Sequence, residues 1–370
     1  MGIFGKGHER RAKRVSESEV LQALSRIEDP DLRKDIVSLG FIKNLTIDGS
    51  AVSLDINLTT PACPVREKMQ EEAKKVVMEL DGVTEVNVNM TAEVRRHASL
   101  DTSALSNVRN IVAVGSGKGG VGKSTVSANL AVGLAQAGAR VGLLDGDIYG
   151  PSMPTMMGVT RQLQVIGDRI IPHTAHGVTF MSMGFFAPGD QPLIWRGPMA
   201  HKALEQCLFS VEWGELDYLL VDLPPGTGDV HLTLVQLVPL TGAVIVSTPQ
   251  DIGLMISMKT LRMFEKTKVH ILGIIENMSY YICPHCGTRE EIFGHGGVAK
   301  VSQALGIPFL GEIPIDRQIR IRADAGTPIV VAEPNSPSAK AYREIVERLA
   351  AQISIESYKS APFQVVEVPG

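Results

Sequence analysis

The chain has 370 residues, 44% of them hydrophobic and 21% charged, with a formal net charge of −4. This composition suits a globular protein large enough for two domains, and its slight acidity gives no reason to expect nucleic acid as a partner; the basic run KGHERRAKR reads as a solvated arm. No stretch offers the roughly 18 uninterrupted apolar residues of a membrane span, and the N-terminus lacks the apolar core of a secretory signal, so a cytoplasmic protein with no membrane partner is expected.

After a basic arm over residues 1–16, residues 17–92 read as a small α+β domain. ESEVLQALSRI has helical periodicity and stops at EDPD, where Pro30 disfavours continuation. FIKNLTI and AVSLDINL alternate as strands around the turn signal Asp48-Gly49. CPVREKMQEEAKKVVMEL returns to helical spacing, and VTEVNVNM closes the unit as a strand. Residues 93–106, polar and without period, read as a linker. From 107 to 354 strand and helix patterns alternate: NIVAVGS, RVGLLD, VTFMSM, YLLVDL, GAVIVST and VHILGIIE are apolar runs of the kind found in a mostly parallel sheet flanked by helices. A helix around SPSAKAYREIVERLAAQIS follows, and residues 355–370 read as an irregular tail.

GSGKGGVGKST follows the first apolar strand and opens a helix, satisfying G-x-x-x-x-G-K-[ST] with Gly117, Gly122, Lys123 and Ser124. Its glycines let backbone N–H groups turn onto phosphates, Lys123 reaches the β/γ oxygens and the Ser124 hydroxyl meets Mg²⁺. Gly119, Gly120, Val121 and Thr125 complete the ATP-binding stretch. Asp145, Asp147 and Asp222 stand at or just past strand ends, where an open parallel sheet binds ligands. Asp222 and Asp145 are therefore expected near Mg²⁺, and Asp147 is placed to orient the attacking water. Asp229 reads equally as a helix cap.

KGGVGKST carries an extra lysine, Lys118, and resembles the deviant phosphate loop of the ATPases that include MinD and the nitrogenase iron protein. With DGDIYGPS, IWRGPM, DYLLVDLPPGTGD, STPQD and ENMSY followed by Cys-x-x-Cys, residues 107–350 are similar to the Mrp/ApbC iron–sulfur cluster carrier ATPases, a P-loop NTPase fold. Gly146 departs from that pattern, where alanine is commoner. EDPDLRKDIVSLG and LTTPACP resemble the small iron–sulfur assembly domain that often precedes this ATPase. The resemblance implies slow ATP hydrolysis by a homodimer, with Lys118 reaching the partner's nucleotide, Asn277 reading adenine, and Trp195 and Arg196 in a nucleotide-responsive loop. It also implies transfer of an iron–sulfur cluster to apo-proteins, together with cluster assembly factors as partners.

Cys283 and Cys286 are spaced Cys-x-x-Cys, yet Cys63 and Cys207 lie far away in sequence, so one chain holds half of a four-thiolate site. A two-fold axis would supply the other half and bridge a [4Fe–4S] cluster between two copies. A Cys₂His₂ zinc site using His285 and His295 stays open, and with it a MinD-like regulatory switch carrying a structural zinc knuckle. Cys63 reads either as a small buried hydrophobe or as a transfer thiol at a helix start.

Overall fold

The computed structural model describes residues 15–97, 105–147, 150–160, 162–186, 197–226 and 229–360. The expected basic arm up to residue 14, residues 98–104 of the expected linker, and Trp195 and Arg196 lie outside the described residues. The chain divides into two compact units, residues 1–93 and 94–370.

In the first unit, α1 (Glu17–Leu24) begins in a capping box: the Ser16 hydroxyl accepts from Glu19 N, and the Glu19 carboxylate accepts from Ser16 N. The strands β1 (Ile42–Asp48) and β2 (Ala51–Leu58) form an antiparallel hairpin, with Gly49 supplying the positive φ of its turn. Val52, Leu54, Ile56 and Leu58 alternate inward along β2. Strand β3 (Glu85–Ala92) runs parallel to β2, which requires a crossover, and α2 (Arg66–Met78) provides it while burying Met69, Ala73 and Val77.

The second unit is built on a nine-stranded sheet. The sheet strands and the longer helices, in chain order, are β4 (Ile111–Ser116), α3 (Lys123–Gln136), β5 (Val141–Asp145), β6 (His173–Ala175), β7 (Val178–Ser182), α4 (Gly197–Phe209), β8 (Tyr218–Asp222), α5 (Asp229–Leu237), β9 (Gly242–Ser247), α6 (Asp251–Lys266), β10 (Ile271–Ile282), β11 (Arg289–Glu290), α7 (Gly297–Leu305), β12 (Phe309–Ile315), α8 (Arg317–Asp324) and α9 (Pro337–Ser360). The spatial order is β6-β7-β5-β8-β4-β9-β10-β11, with β12 also paired to β10. All pairings are parallel except β6 with β7 and β10 with β11. Every residue of β4, β5, β8 and β9 is buried, which explains their unbroken apolar runs. Strand β4 has β8 on one side and β9 on the other, the switch point where such sheets open a ligand crevice.

The structure differs from the expected elements at a short hairpin of Gln164–Ile166 with Arg169–Ile171, at the strand His173–Ala175, and in three further places. The strand expected to end at Glu276 runs on to Ile282, through Met278 at φ 57 and a register shift between Asn277 and Tyr281. Strand β12 was hidden by Pro308 and Pro314, which argue against a strand in a linear reading. The last helix continues to Ser360, past the boundary at 355 expected for the tail.

Residues just ahead of the sheet are tied into it rather than left as free linker. Arg109 donates to the Val94 carbonyl, Asn110 Nδ2 to the Arg95 carbonyl at 2.9 Å, and His97 N to the Arg109 carbonyl at 3.0 Å. The Arg95 guanidinium sits 4.9 Å from the centre of the Tyr358 ring. A chain beginning at residue 94 is therefore expected to melt several degrees above one beginning at 105, because each lost hydrogen bond costs about 1 kcal/mol. Thermal unfolding of the two chains checks this, and equal midpoints would show those contacts to be idle.

Candidate functional site

The loop between β4 and α3 is shaped by two left-handed glycines, Gly120 and Gly122, both at φ 79. Gly122 is the N-cap of α3, and a Cβ there would fall 2.3 Å from Asn277 Nδ2. That amide donates to the Val121 carbonyl at 2.8 Å, so Asn277 of β10 braces the loop from the side. Ser116 Oγ donates to the Lys118 carbonyl at 3.0 Å, and Gly226 N donates to the Ser116 carbonyl at 2.9 Å. Gly117 and Gly119 lie in the same loop; Thr125, one residue past Ser124, has its hydroxyl 3.8 Å from Met156 Sδ.

Lys123, Ser124 and Asp222 converge. Lys123 Nζ is 2.6 Å from Asp222 Oδ2 with both side chains buried, and Ser124 Oγ donates to the same oxygen at 2.7 Å. The other oxygen, Oδ1, accepts from Ser127 Oγ at 2.6 Å. An ammonium, two hydroxyls and one carboxylate thus satisfy one another where an unpaired charge would be costly. The hydroxyl of Ser124 and the carboxylate of Asp222 are hard oxygen donors that fit Mg²⁺.

Asp145 is fully buried one strand away, and its oxygens accept from Ser182 Oγ (2.8 Å), Asp147 N (3.2 Å) and Met153 N (3.3 Å). Burial first, and the Asp222 charge second, push its pKa up to about 7. Asp147 Oδ1 accepts from Gly150 N at 3.2 Å. Gly146 N donates to the Asp222 carbonyl at 2.9 Å, and a methyl at Gly146 would press on that oxygen at 3.1 Å, so glycine lets β5 and β8 close up here. Lys118 is half-buried, its Nζ 3.1 Å from Gln250 Oε1. Asp229 opens α5.

The Cys-x-x-Cys stretch forms the tip of the hairpin joining β10 to β11. Cys283 N donates to the Thr288 carbonyl at 2.9 Å and Gly287 N to the Cys283 carbonyl at 2.8 Å, closing the turn with Gly287 at φ 71. Cys283 is half-buried and Cys286 exposed. Hydrogen bonding with the Thr288 hydroxyl, 3.1 Å away, holds the Cys286 thiol below its ordinary pKa, which favours the thiolate that binds metal. His285 is exposed, while His295 Nε2 lies 2.7 Å from Glu312 Oε1. Among the described residues, no third Cys, His, Asp or Glu donor closes on the two thiols to complete a site within one chain. Cys207 is fully buried with Sγ 3.3 Å from Met183 Sδ, and burial raises its pKa. In the first unit, Cys63 is half-buried and its carbonyl accepts from Arg66 N at the start of α2.

Sequence reading missed Ser127, Ser182 and Gln250. For Ser127 a signal existed: positions 123, 124 and 127 share one helix face. Ser182 and Gln250 reach the site only through sheet pairing and loop closure.

Residues 107–350 match the family described as NUBPL iron-transfer P-loop NTPase, and residues 17–88 match one described as iron-sulfur cluster assembly protein. An iron-sulfur cluster carrier protein of Synechocystis sp. is 48% identical over 343 residues, covering 91% of this chain and 97% of the relative. Among solved structures, a nucleotide-binding protein of Archaeoglobus fulgidus in complex with ADP is 41% identical with a TM-score of 0.56, over 64% of this chain and 93% of that one. The cell division ATPase MinD of Pyrococcus furiosus shares the fold at 23% identity and a TM-score of 0.50, over 65% of this chain and 97% of that one.

Gly122→Ala is expected to weaken ATP binding by roughly a hundredfold or more. A left-handed alanine costs about 1–2 kcal/mol and its methyl would also displace Asn277, breaking two supports of the loop at once. Titration with a fluorescent ATP analogue reads this directly, and near-normal affinity would refute the bracing role of Asn277.

Proposed function

The chain belongs to the iron–sulfur cluster carrier family of P-loop NTPases, and from that premise we propose that it binds and slowly hydrolyses ATP while carrying an iron–sulfur cluster to apo-proteins in the cytoplasm. The observation that carries the reading is the exposed hairpin presenting Cys283 and Cys286 with no third donor beside them among the described residues. Two thiolates are half of what a [4Fe–4S] cluster takes, and a second copy related by a two-fold axis supplies the rest. The cluster is cargo, held at the seam of a homodimer.

In the nucleotide site, the glycine loop from Gly117 to Gly122 turns its N–H groups onto the phosphates, and Lys123 exchanges Asp222 for the β/γ oxygens. Ser124 and Asp222, with Asp145 behind them, would hold Mg²⁺, which would supply charge neutralisation for the transferred phosphoryl group. Thr125 flanks the phosphates, Asn277 recognises adenine, and Asp147 orients the attacking water. Lys118, half-buried with its Nζ on the exposed Gln250 amide, crosses to the partner's phosphates when the dimer closes. Turnover is slow because closure must precede chemistry. Cys63 takes part in loading or transfer, and the residue 17–92 unit docks assembly factors.

Lys118→Ala is expected to keep most ATP affinity and lose hydrolysis at least tenfold, whereas Lys123→Ala loses binding itself. Steady-state phosphate release with parallel binding titrations separates the two; wild-type turnover in Lys118→Ala would remove the trans role.

Anaerobic reconstitution is expected to give a brown protein with about four iron and four sulfide per dimer. Cys283→Ala and Cys286→Ala each lose the cluster while binding ATP normally. One zinc per chain with no labile sulfide would instead establish a zinc knuckle and end the carrier reading.

A further inference from the structure

A second set of metal-ligating side chains stands beside the thiol hairpin. Glu276 and Glu312 are register partners on the adjacent parallel strands β10 and β12, and His295 lies in the segment after β11. One ligand atom from each lies within 4.8 Å of the others. Like charges on directly paired strand positions repel unless a cation is shared between them.

The cation present is Arg289. Its guanidinium nitrogen is 3.0 Å from Glu312 Oε2 and 2.7 Å from His295 Nε2, and the group stacks 3.9 Å from the centre of the Tyr280 ring. His295 Nε2 is simultaneously 2.7 Å from Glu312 Oε1. A ring nitrogen cannot serve both neighbours. With a proton it opposes the donor-only guanidinium, and without one it opposes the acceptor-only carboxylate. A metal ion in place of the guanidinium would resolve the conflict, because it accepts lone pairs from the imidazole and the carboxylate together.

Two further features suit a metal. Glu291 Oε1 lies 3.4 Å from His295 Nδ1, in the position of an outer carboxylate beside a ligating imidazole. Glu276 is fully buried; its oxygens accept from Ser279 Oγ at 2.6 Å and Val298 N at 3.1 Å and retain lone-pair capacity.

We propose that Glu276, His295 and Glu312 form a mononuclear site for a first-row divalent cation, with Glu291 orienting the imidazole and Arg289 the counter-charge that the ion displaces. Two carboxylates and one imidazole suit Fe²⁺, Mn²⁺, Co²⁺ and Zn²⁺. The choice of Fe²⁺ as the working ion rests on the cluster-carrier reading, whereas divalent binding does not. Arg289 follows Thr288, the hydrogen-bond partner of Cys286, so occupancy of this site and the posture of the thiol hairpin share one short strand.

The test uses the full chain with Cys283→Ala and Cys286→Ala, free of nucleotide and in excess Mg²⁺ to occupy the loop carboxylates, titrated with Co²⁺. Expected are about one Co²⁺ per chain, with d–d absorption and no sulfur charge-transfer band. His295→Ala and Glu312→Gln weaken binding at least tenfold, and Glu291→Gln weakens it by about tenfold. Arg289→Ala tightens binding at least tenfold, an effect opposite in sign to the loss of a structural ion pair. Thermal unfolding without Co²⁺ verifies that each variant is folded. Absence of binding in both the parent and Arg289→Ala, binding indifferent to His295 and Glu312, or weakening in Arg289→Ala would overturn the site. Failure of cluster reconstitution in the cysteine-intact protein while Co²⁺ still binds here would overturn the carrier reading and leave this site standing.

Discussion

One buried carboxylate organises the nucleotide site. Asp222 ends a central strand with no exposed surface, and an ionised oxygen pair in such a place must be surrounded by donors. Lys123, Ser124 and Ser127 supply them from the first turns of α3, so the helix start is drawn onto the strand end by charge and hydrogen bonding together. The loop between β4 and α3 then has little freedom. Its left-handed glycines are the residues that can follow so tight a path, and Asn277 closes the remaining side.

Strand β10 links this site to the thiols. Its first part pairs with β9 and β12 within the sheet, carries Glu276 and reaches Asn277 against the phosphate loop. Met278 then takes a left-handed conformation, uncommon for a non-glycine residue and a place where backbone strain is stored. Beyond it the strand continues to Ile282, pairs with β11 and delivers Cys283 and Cys286 to the surface.

Much of this was legible in the residues. The six apolar runs became strands, four of them buried at every residue, because a sheet covered on both faces leaves no polar side, a demand that marks the sequence strongly. The phosphate loop was legible because few backbones other than a glycine-rich turn can bring N–H groups so close together. Strand β12 was not legible, since Pro314 within it and Pro308 just ahead of it contradict local strand preference, while pairing along β10 and the Arg348 guanidinium on the Leu310 carbonyl hold it in place. The reading of residues 93–106 as linker weighed polarity and missing periodicity, which do not register that Arg109 and Asn110 capture the backbone at Val94 and Arg95.

By itself the sequence determined the alternating strand and helix order, the phosphate loop with Lys123 and Ser124, the strand-end aspartates and the pairing of Cys283 with Cys286, because each depends on neighbours within a few positions. Tertiary structure alone decided that Ser182 holds Asp145, that Asn277 braces the phosphate loop at the Val121 carbonyl, and that His295 turns to Glu312 and Arg289. Those contacts join residues from separate strands and loops, and no periodicity in a chain records which side chain will stand opposite another once the sheet has formed.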